Sequence, residues 1–264
     1  MSDIVKSMIA DRRRLHARPE EGWCEFETTY LIVDRLRTLG FEVWTGDRAV
    51  DPEHALGRDS KLVEDAAARA SAHGVPQSFL DETKGYTGAV GVWKTGRPGP
   101  VTALRFDIDA LPIDETTDSE HEACRGGYRS EIPGFSHACG HDGHAAALLG
   151  AAKKLASERN FGGKVVLVFQ PGEEGWSGAK HMMEDGLFER FPMQEIYAFH
   201  NSSAIEPGRI ALNYGAMQAA ADAFTIVVKG KGGHASRPNL NHDPVIAAAH
   251  IILALQTIVS REVD

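Results

Sequence analysis

The residues that could do chemistry are densest between Ser136 and His144, where the chain runs SHACGHDGH. This segment holds three histidines, a cysteine and an aspartate within nine positions. Cys139 and His141 flank Gly140, and a glycine lets the backbone bend so that thiolate and imidazole reach one cation. The segment therefore predicts a metal site, with a Cys–His nucleophile pair or a loop that is merely rich in histidine as the alternatives.

Metal-type side chains also follow three predicted strands, at the point where each strand ends. They are Asp107 and Asp109 after the first strand, Glu173 and Glu174 after the second, and His200 at the end of the third. The carboxyl ends of parallel strands meet at one edge of a sheet, so we expect these groups to converge with the 136–144 segment. Taken singly, each has an ordinary structural explanation, since aspartates form turns, glutamates begin helices and a lone histidine is commonly structural.

The number of carboxylates decides between the two chemical interpretations. A cysteine nucleophile needs neither the glutamate pair nor the two aspartates, whereas a metal-dependent hydrolase uses such groups as ligands and proton acceptors. Crowded carboxylates repel one another unless cations neutralise them, and two divalent ions would explain the number of donors. We therefore favour a two-metal hydrolase, in which a free carboxylate takes a proton from water.

The elements that must position these groups alternate between strands and helices. Residues 25–39 have apolar side chains at helical spacing and are followed by Gly40, a typical helix stop. Residues 164–170, KVVLVFQ, form a near-continuous apolar run that is typical of a strand buried on both faces. Further strands are predicted at 41–45, 88–93, 101–106 and 195–200, and further helices at 142–157 and 178–188. The predicted fold class is α/β, with a mixed, mostly parallel sheet flanked by helices.

Residues 1–214 are predicted to form the catalytic domain. The stretch 46–84 differs from its surroundings because it is charged and rich in alanine, with a helix predicted at 60–72. We interpret 46–84 as an insertion that decorates the core of this domain.

The pattern changes after residue 214. Residues 222–230 alternate like a strand with one solvent-exposed face, and Asp243 and Pro244 are typical of the start of a helix. One strand and one helix make a poor domain by themselves. We therefore expect residues 215–264 to be the first part of an α+β domain.

Composition limits the partners and the compartment. The 264 residues include 28 basic and 37 acidic side chains, a formal net charge of -9. This balance disfavours nucleic-acid or membrane-surface binding, both of which need basic patches, and allows a small-molecule substrate. No run approaches the roughly 18 apolar residues of a membrane span, and the N-terminus lacks the apolar core of a signal peptide. Cys24, Cys124 and Cys139 are too few and scattered for a disulfide framework, so we predict a cytoplasmic location.

Four segments resemble those of a known enzyme superfamily. They are LRFDIDALPI, HACGHDGHAAALLGAA, FQPGEEGWSGAKHMMEDGLFE and GKGGHASRPNLNHDPVIAAAHIILALQTIVSR. Their order and spacing are similar to those of the two-domain metallo-aminoacylases and carboxypeptidases, in the branch of hippurate, N-acetyl-diaminopimelate and auxin-conjugate amidohydrolases. The resemblance runs from about His16 to Asp264. Within this branch, the 46–84 insertion followed by GYTGAVGVWKTGRPGPV is similar to the A-type subunits of aminobenzoyl-glutamate hydrolase. The resemblance implies a di-metal exopeptidase-like fold with a lid and dimerisation domain.

The resemblance also implies a set of metal ligands. Cys139 would bridge two divalent ions, either manganese or zinc. His141 and Glu174 would complete the protein ligands of one ion, and His200 would bind the other. The role of Asp107 stays open, because relatives in other branches carry a metal-binding histidine at that position.

Three catalytic roles follow from the same resemblance. Glu173 would be the general base that activates water and later protonates the leaving amine. Asp109 would orient a metal ligand, and His234 would stabilise the oxyanion, often across a dimer interface. His137 and His144 would be structural or would support the ligands.

The implied activity is metal-dependent hydrolysis of the amide bond of N-acyl or N-aroyl amino acids, for example p-aminobenzoyl-glutamate. The implied assembly is a homodimer through the lid domain or a heteromer with a second subunit.

The family's last metal ligand, a histidine near the C-terminus, has no counterpart here, so we expect a C-terminally truncated chain that alone binds metal weakly and hydrolyses little. A different hypothesis is a catalytically incompetent fragment or paralogue that serves in binding or assembly through the helix at 244–261. Activity that survives chelators would instead favour the cysteine nucleophile.

Overall fold

The computed structural model describes residues 1–50, 55, 57–217 and 224–262. The helices are α1 Asp3–Ala17, α2 Phe26–Leu39, α3 Ser60–Ala72, α4 Gln77–Thr83, α5 Glu122–Gly126, α6 His141–Glu158, α7 Gly178–Glu184, α8 Leu187–Arg190 and α9 Pro244–Thr257. The strands are β1 Glu42–Thr45, β2 Ala89–Lys94, β3 Val101–Asp107, β4 Lys164–Gln170 and β5 Glu195–Ala198. The helix predicted at 178–188 is two helices, because Gly186 at φ 77° takes a left-handed conformation that ends one and precedes the other.

The five strands form one sheet in the order β1-β2-β4-β3-β5. The β3–β4 and β3–β5 pairs are parallel, whereas the β1–β2 and β2–β4 pairs are antiparallel. The prediction of a mixed sheet is confirmed, but the prediction that it is mostly parallel is wrong. An apolar run reports how deeply a strand is buried and does not report which way its neighbours run.

Both faces of β4 are covered, as its apolar sequence predicted. Val165, Leu167 and Phe169 belong to a hydrophobic cluster that includes residues of α2 and α6. Val166 and Val168 point to the opposite face and pack in a second cluster with residues of α7 and α8. Successive side chains of a strand alternate between faces, so a strand covered on both sides must be apolar throughout.

The helix α2 shows how the N-terminal segment is fixed to this core. The buried Glu20 carboxylate accepts hydrogen bonds from the N–H groups of Glu27 at 3.0 Å and Thr28 at 2.9 Å, near the start of α2. The helix ends at Gly40, which adopts φ 91° as the predicted stop requires. The 46–84 segment contributes to the core as well as covering it, since buried side chains of α3 and α4 lie in the same cluster as α2.

The chain forms two compact units, Met1–Ala204 and Ile205–Asp264. In the second unit, α9 begins at Pro244 as predicted, and the Asp243 carboxylate accepts the Val245 N–H at 2.9 Å. The strand predicted at 222–230 is not found over residues 224–230, and residues 222 and 223 lie outside the described residues. An alternating pattern forms a strand only where a neighbouring strand accepts its hydrogen bonds, and the bridge between Lys231 and His242 is isolated. The assignment of 215–264 to a lid domain stays a prediction.

Among the helices of the described residues, none combines the length and the apolar character that crossing a membrane requires.

Candidate functional site

The candidate site lies where three parallel strands end. β3, β4 and β5 run in the same direction, so the residues at their carboxyl ends reach one edge of the sheet, where α6 begins at His141. The side chains form three overlapping sets whose ligand atoms lie within 4.8 Å of one another. These sets are Cys139, His141 and His200; Asp107, His141 and His144; and His141, Glu173 and Glu174. The structure therefore brings the four predicted segments together, with His141 common to all three sets.

His200 faces Cys139 with the ring nitrogen that can bind a cation. The Nδ1 of His200 donates a hydrogen bond to the Asn201 carbonyl at 2.6 Å. In the neutral ring this leaves Nε2 unprotonated, 3.3 Å from Cys139 Sγ. A carbonyl that fixes the histidine tautomer in this way is the usual support of a metal-binding imidazole. Gly140 adopts φ 90°, the left-handed bend that places Cys139 before α6.

His141 is completely buried and is surrounded by carboxylates. Its Nε2 lies 3.7 Å from Asp107, 3.8 Å from Glu174 and 3.9 Å from Glu173, and its Nδ1 lies 3.3 Å from Asp109. These contacts are electrostatic, because neither ring nitrogen has an aligned hydrogen-bond partner among the described residues. Burial by itself would lower the pKa of His141, but the carboxylates of Asp109, Asp107 and Glu174 outweigh it and raise the pKa.

Glu173 and Glu174 stand on a turn between β4 and α7. The backbone N–H of Glu174 donates to Asp109 Oδ2 at 2.7 Å, so Asp109 contacts this turn with one oxygen and His141 with the other. The Glu173 side chain is 41% exposed and that of Glu174 is 21% exposed. Burial and the carboxylates of Asp107 and Glu174 raise the pKa of Glu173, which is the direction that favours a general base.

The surroundings of Cys139 bear on the nucleophile alternative. Burial and the nearby carboxylates of Glu174, Glu173 and Asp107 raise the pKa of the Cys139 thiol to about 12. A nucleophilic cysteine needs a lowered pKa, which positive neighbours provide. A bound cation would stabilise the thiolate here, so the geometry favours a metal ligand over a nucleophile.

Asp107 is held by a network that includes Asn201, a residue not singled out in the sequence. The Asn201 backbone N–H lies 3.0 Å from His144 Nε2, and the Asn201 side-chain oxygen is also within hydrogen-bond distance of that nitrogen. The other ring nitrogen of His144, Nδ1, is hydrogen-bonded to Asp107. Arg105 donates a further hydrogen bond to Asp107 at 3.1 Å. Burial would raise the pKa of Asp107, but His144, His141 and Arg105 bring it down to about 2. The only sequence signal for Asn201 is its place directly after a strand-end histidine.

Two further histidines singled out in the sequence are not part of the three donor sets found among the described residues. His137 is buried, and among those residues neither of its ring nitrogens has a hydrogen-bond partner. Burial lowers the pKa of His137 to about 4, so its ring is neutral near pH 7. His234 belongs to the second unit, where its exposed ring lies 2.8 Å from the Ser236 hydroxyl.

The donors of this site fit divalent cations. Thiolate, imidazole and carboxylate groups together suit zinc, and the carboxylates and imidazoles also suit manganese. His141 Nδ1 and Nε2, Glu174 Oε1 and Asp109 Oδ1 are buried without a hydrogen-bond partner in the described part of the chain. Such atoms cost about 1–3 kcal/mol each unless a ligand satisfies them. The arrangement can therefore hold metal ions beside a partly exposed carboxylate, which is the combination that hydrolysis needs.

Comparison with known proteins places the chain in a family. The family described as Peptidase family M20/M25/M40 matches residues 103–261. The chain is 39% identical to a protein named hippurate hydrolase from Campylobacter jejuni, over 96% of this chain and 54% of that protein. It is 35% identical to a homolog of one subunit of p-aminobenzoyl-glutamate hydrolase from Haemophilus influenzae, over 96% of this chain and 60% of that protein. The chain thus spans little more than half the length of these relatives.

A solved structure gives the same result at the level of the fold. The Bacillus subtilis YXEP protein, described as a dinuclear metal binding peptidase from the M20 family, matches with a TM-score of 0.54 and 31% sequence identity. The match covers 75% of this chain and 44% of that one. The mixed sheet with flanking helices is therefore the fold of a protein that is described as binding two metals.

Proposed function

The chain belongs to peptidase family M20/M25/M40, and from this premise we propose that the whole protein is a metal-dependent amidohydrolase. It hydrolyses the amide bond between an acyl or aroyl group and an amino acid. The observation that carries this proposal is the grouping of Cys139, His141 and His200 with the Glu173–Glu174 pair around one edge of the sheet. A nucleophile-based site would not need so many carboxylates within reach of one buried imidazole.

Four side chains hold the metal ions in this proposal, namely Cys139, His141, Glu174 and His200. Bound manganese or zinc supplies Lewis acidity, which polarises the scissile carbonyl and acidifies water. Asp109 orients His141 through its Nδ1 and fixes the Glu174 peptide, which supports the assigned orienting role.

Glu173 moves the proton in the proposed reaction. Its carboxylate takes a proton from the attacking water as the new C–O bond forms at the carbonyl carbon. It then gives that proton to the amine nitrogen as the C–N bond breaks. Its partial exposure and its position 3.9 Å from His141 support this role. His234 is assigned to the oxyanion by the resemblance, and its exposed imidazole is available to donate a hydrogen bond.

The proposed substrates are N-acyl and N-aroyl amino acids, with p-aminobenzoyl-glutamate as a specific candidate. Support comes from the names of the relatives, which include hydrolases of hippurate, of indoleacetyl-amino acid conjugates and of p-aminobenzoyl-glutamate. We also propose a homodimer through the lid domain, or a heteromer with a second subunit, in the cytoplasm. The exposed apolar residues Val245, Ile246 and Leu253 on α9 support an association surface.

The test is an assay of the whole protein with a panel of N-acyl and N-aroyl amino acids. We expect amide hydrolysis that is abolished by a chelator and restored by manganese or zinc. Activity that survives complete metal removal would favour the cysteine nucleophile instead. A protein that holds stoichiometric metal but hydrolyses no member of the panel would favour the role in binding or assembly.

A further inference from the structure

A buried carboxylate that the proposed chemistry does not use lies behind the Glu173–Glu174 turn. Glu25 directly precedes α2 and is 0% exposed. Its side chain does not cap the helix, and Glu20 accepts the N–H groups of Glu27 and Thr28 in its place. Glu25 is therefore available for another purpose.

Both oxygens of Glu25 accept hydrogen bonds, and one of these bonds comes from the Glu173–Glu174 turn. Oε1 accepts the backbone N–H of Gly172 at 2.8 Å, and Oε2 accepts the hydroxyl of the buried Thr87. Gly172 adopts φ 58°, and a Cβ at this position would lie 3.2 Å from the Trp23 ring. The turn therefore packs closely against Trp23 at the residue that donates to Glu25.

Glu173 lies between two anchored peptides. The Gly172 N–H on one side donates to Glu25, and the Glu174 N–H on the other side donates to Asp109 at 2.7 Å. The Glu173 side chain itself is 41% exposed, so packing covers only part of it. The backbone on either side therefore helps to set the direction of its carboxylate.

The anchoring arrangement is unfavourable in isolation. Burial and the neighbouring Asp109 carboxylate raise the pKa of Glu25 well above its ordinary range. Burying a carboxyl group costs free energy unless hydrogen bonds satisfy it. The hydrogen bond from the turn to Glu25 therefore explains a buried carboxyl group that core packing alone would not favour.

We propose that Glu25 is a positioning residue, which holds the Gly172 peptide and thereby sets where the Glu173 carboxylate stands relative to the metal ligands. The expected loss of kcat rests on the proposed amide hydrolysis. The expected loosening of the turn around Gly172 does not depend on any substrate. A displacement of about 1 Å in a reacting group can reduce the rate by about 10²-fold. The loss should fall on kcat, because the side-chain hydrogen bonds of Glu25 within the described residues go to Gly172 and Thr87 and not to a proposed metal ligand.

The experiment compares variants of the whole protein. Glu25→Ala removes both hydrogen bonds, and Glu25→Asp keeps the carboxyl group but draws it back from the Gly172 N–H. Glu25→Gln keeps an acceptor for that N–H. The matched control is Glu20→Ala, which removes a buried carboxylate whose side-chain hydrogen bonds go to the N–H groups of Glu27 and Thr28 at the start of α2 and not to the turn.

Three measurements are made on each variant. They are the hydrogen exchange of residues 171–176, the content of added manganese, and kcat and KM for amide hydrolysis. For Glu25→Ala and Glu25→Asp we expect faster exchange in 171–176, unchanged metal content and KM, and a kcat about 10²-fold lower. Glu25→Gln should stay close to wild type in all three. Glu20→Ala should speed exchange near the start of α2 but leave residues 171–176 and kcat unchanged.

Several results would overturn the proposal. One is wild-type exchange in 171–176 in both disruptive variants. Another is a loss of kcat that follows a loss of metal, which would make Glu25 a support of the metal site instead. If Glu25→Ala does not fold, Glu25→Asp decides alone. If the wild-type protein hydrolyses no amide, the proposed function fails, and the exchange of residues 171–176 still decides whether Glu25 positions the turn.

Discussion

At the residue scale, the partly exposed Glu173 carboxylate carries the proposed proton transfer. Replacing Glu173 by Gln keeps the size of the side chain and removes the base. We expect kcat to fall by about 10²–10⁴-fold while bound metal stays at the wild-type level, because general acid–base catalysis contributes about that factor. Steady-state kinetics and metal analysis of the whole protein check this prediction.

The matched control for this variant is Glu189→Gln, which changes an exposed glutamate of α8. It should leave kcat within experimental error of wild type. Near-normal turnover by Glu173→Gln with metal retained would show that another group is the base.

At the scale of single elements, Glu20 holds the start of α2 and should make the stability of the protein depend on pH. Burial raises the pKa of Glu20 to about 7 from its ordinary value of 4.5, although the two N–H groups that it binds oppose this shift. The folded protein therefore binds the proton more tightly than the unfolded chain. The stability that Glu20 contributes is complete below pH 4.5 and is lost as the pH rises through about 7.

The corresponding measurement is urea unfolding of wild type and Glu20→Ala across this pH range. We expect the difference between their free energies of unfolding to become smaller as the pH rises from 4.5 to about 7. For the exposed Glu158→Ala in α6, the difference from wild type should not follow this course. If the difference in free energy of unfolding between wild type and Glu20→Ala stays constant with pH, the raised pKa of Glu20 is contradicted.

For Glu115 we expect the opposite dependence of stability on pH, because it joins three parts of the first compact unit. It accepts hydrogen bonds from the Ser130 N–H at 2.6 Å, from His16 of α1 at 2.8 Å and from His121 before α5 at 2.7 Å. Burial alone would raise the pKa of Glu115, but these donors lower it to about 2. Its contribution to stability is therefore present above pH 4.5 and is lost as the pH falls toward 2.

Acid unfolding monitored by circular dichroism checks this second pH prediction. Between pH 4.5 and about 2, wild type should lose more stability than Glu115→Gln, which has no carboxylate to protonate. Exposed Glu120 offers the comparison, since Glu120→Gln should follow the wild-type curve. Parallel losses in wild type and Glu115→Gln would show that this junction is not held by an ionised carboxylate.

At the scale of the whole molecule, the chain covers 54% and 60% of the two curated relatives described above. The resemblance assigns one further metal ligand to a histidine beyond the region compared. We therefore expect residues 1–264 alone to bind manganese or zinc more weakly than a longer protein that carries this histidine, and to hydrolyse amides slowly. Metal titration of both proteins checks the prediction. Robust metal-dependent hydrolysis by residues 1–264 alone would contradict it.

The second unit shows that a sequence pattern can predict the start of a helix and still fail to predict a strand. Asp243 and Pro244 predicted the start of α9 correctly, because a helix cap is satisfied by atoms within a few residues. The alternation at 222–230 predicted a strand that is not found in residues 224–230. A strand depends on a partner that is distant in the sequence, so its pattern alone is not sufficient.

Local features of the first compact unit could be predicted from the sequence alone. The apolar run of β4, the stop at Gly40 and the bend at Gly140 follow from side-chain burial and backbone freedom, which are properties of short segments. The sequence also identified Cys139 and His141 as candidate ligands, because their spacing around a glycine is local.

How these segments meet could be seen only in the three-dimensional fold. It made half of the strand pairings antiparallel and grouped His200 with Cys139 from 61 residues away. It also brought Asn201 to His144 and placed Glu25 against Gly172, 147 residues along the chain. Hydrogen bonds and charge interactions act over a few ångströms of space, so residues without a local pattern gain their roles only when the fold makes them neighbours.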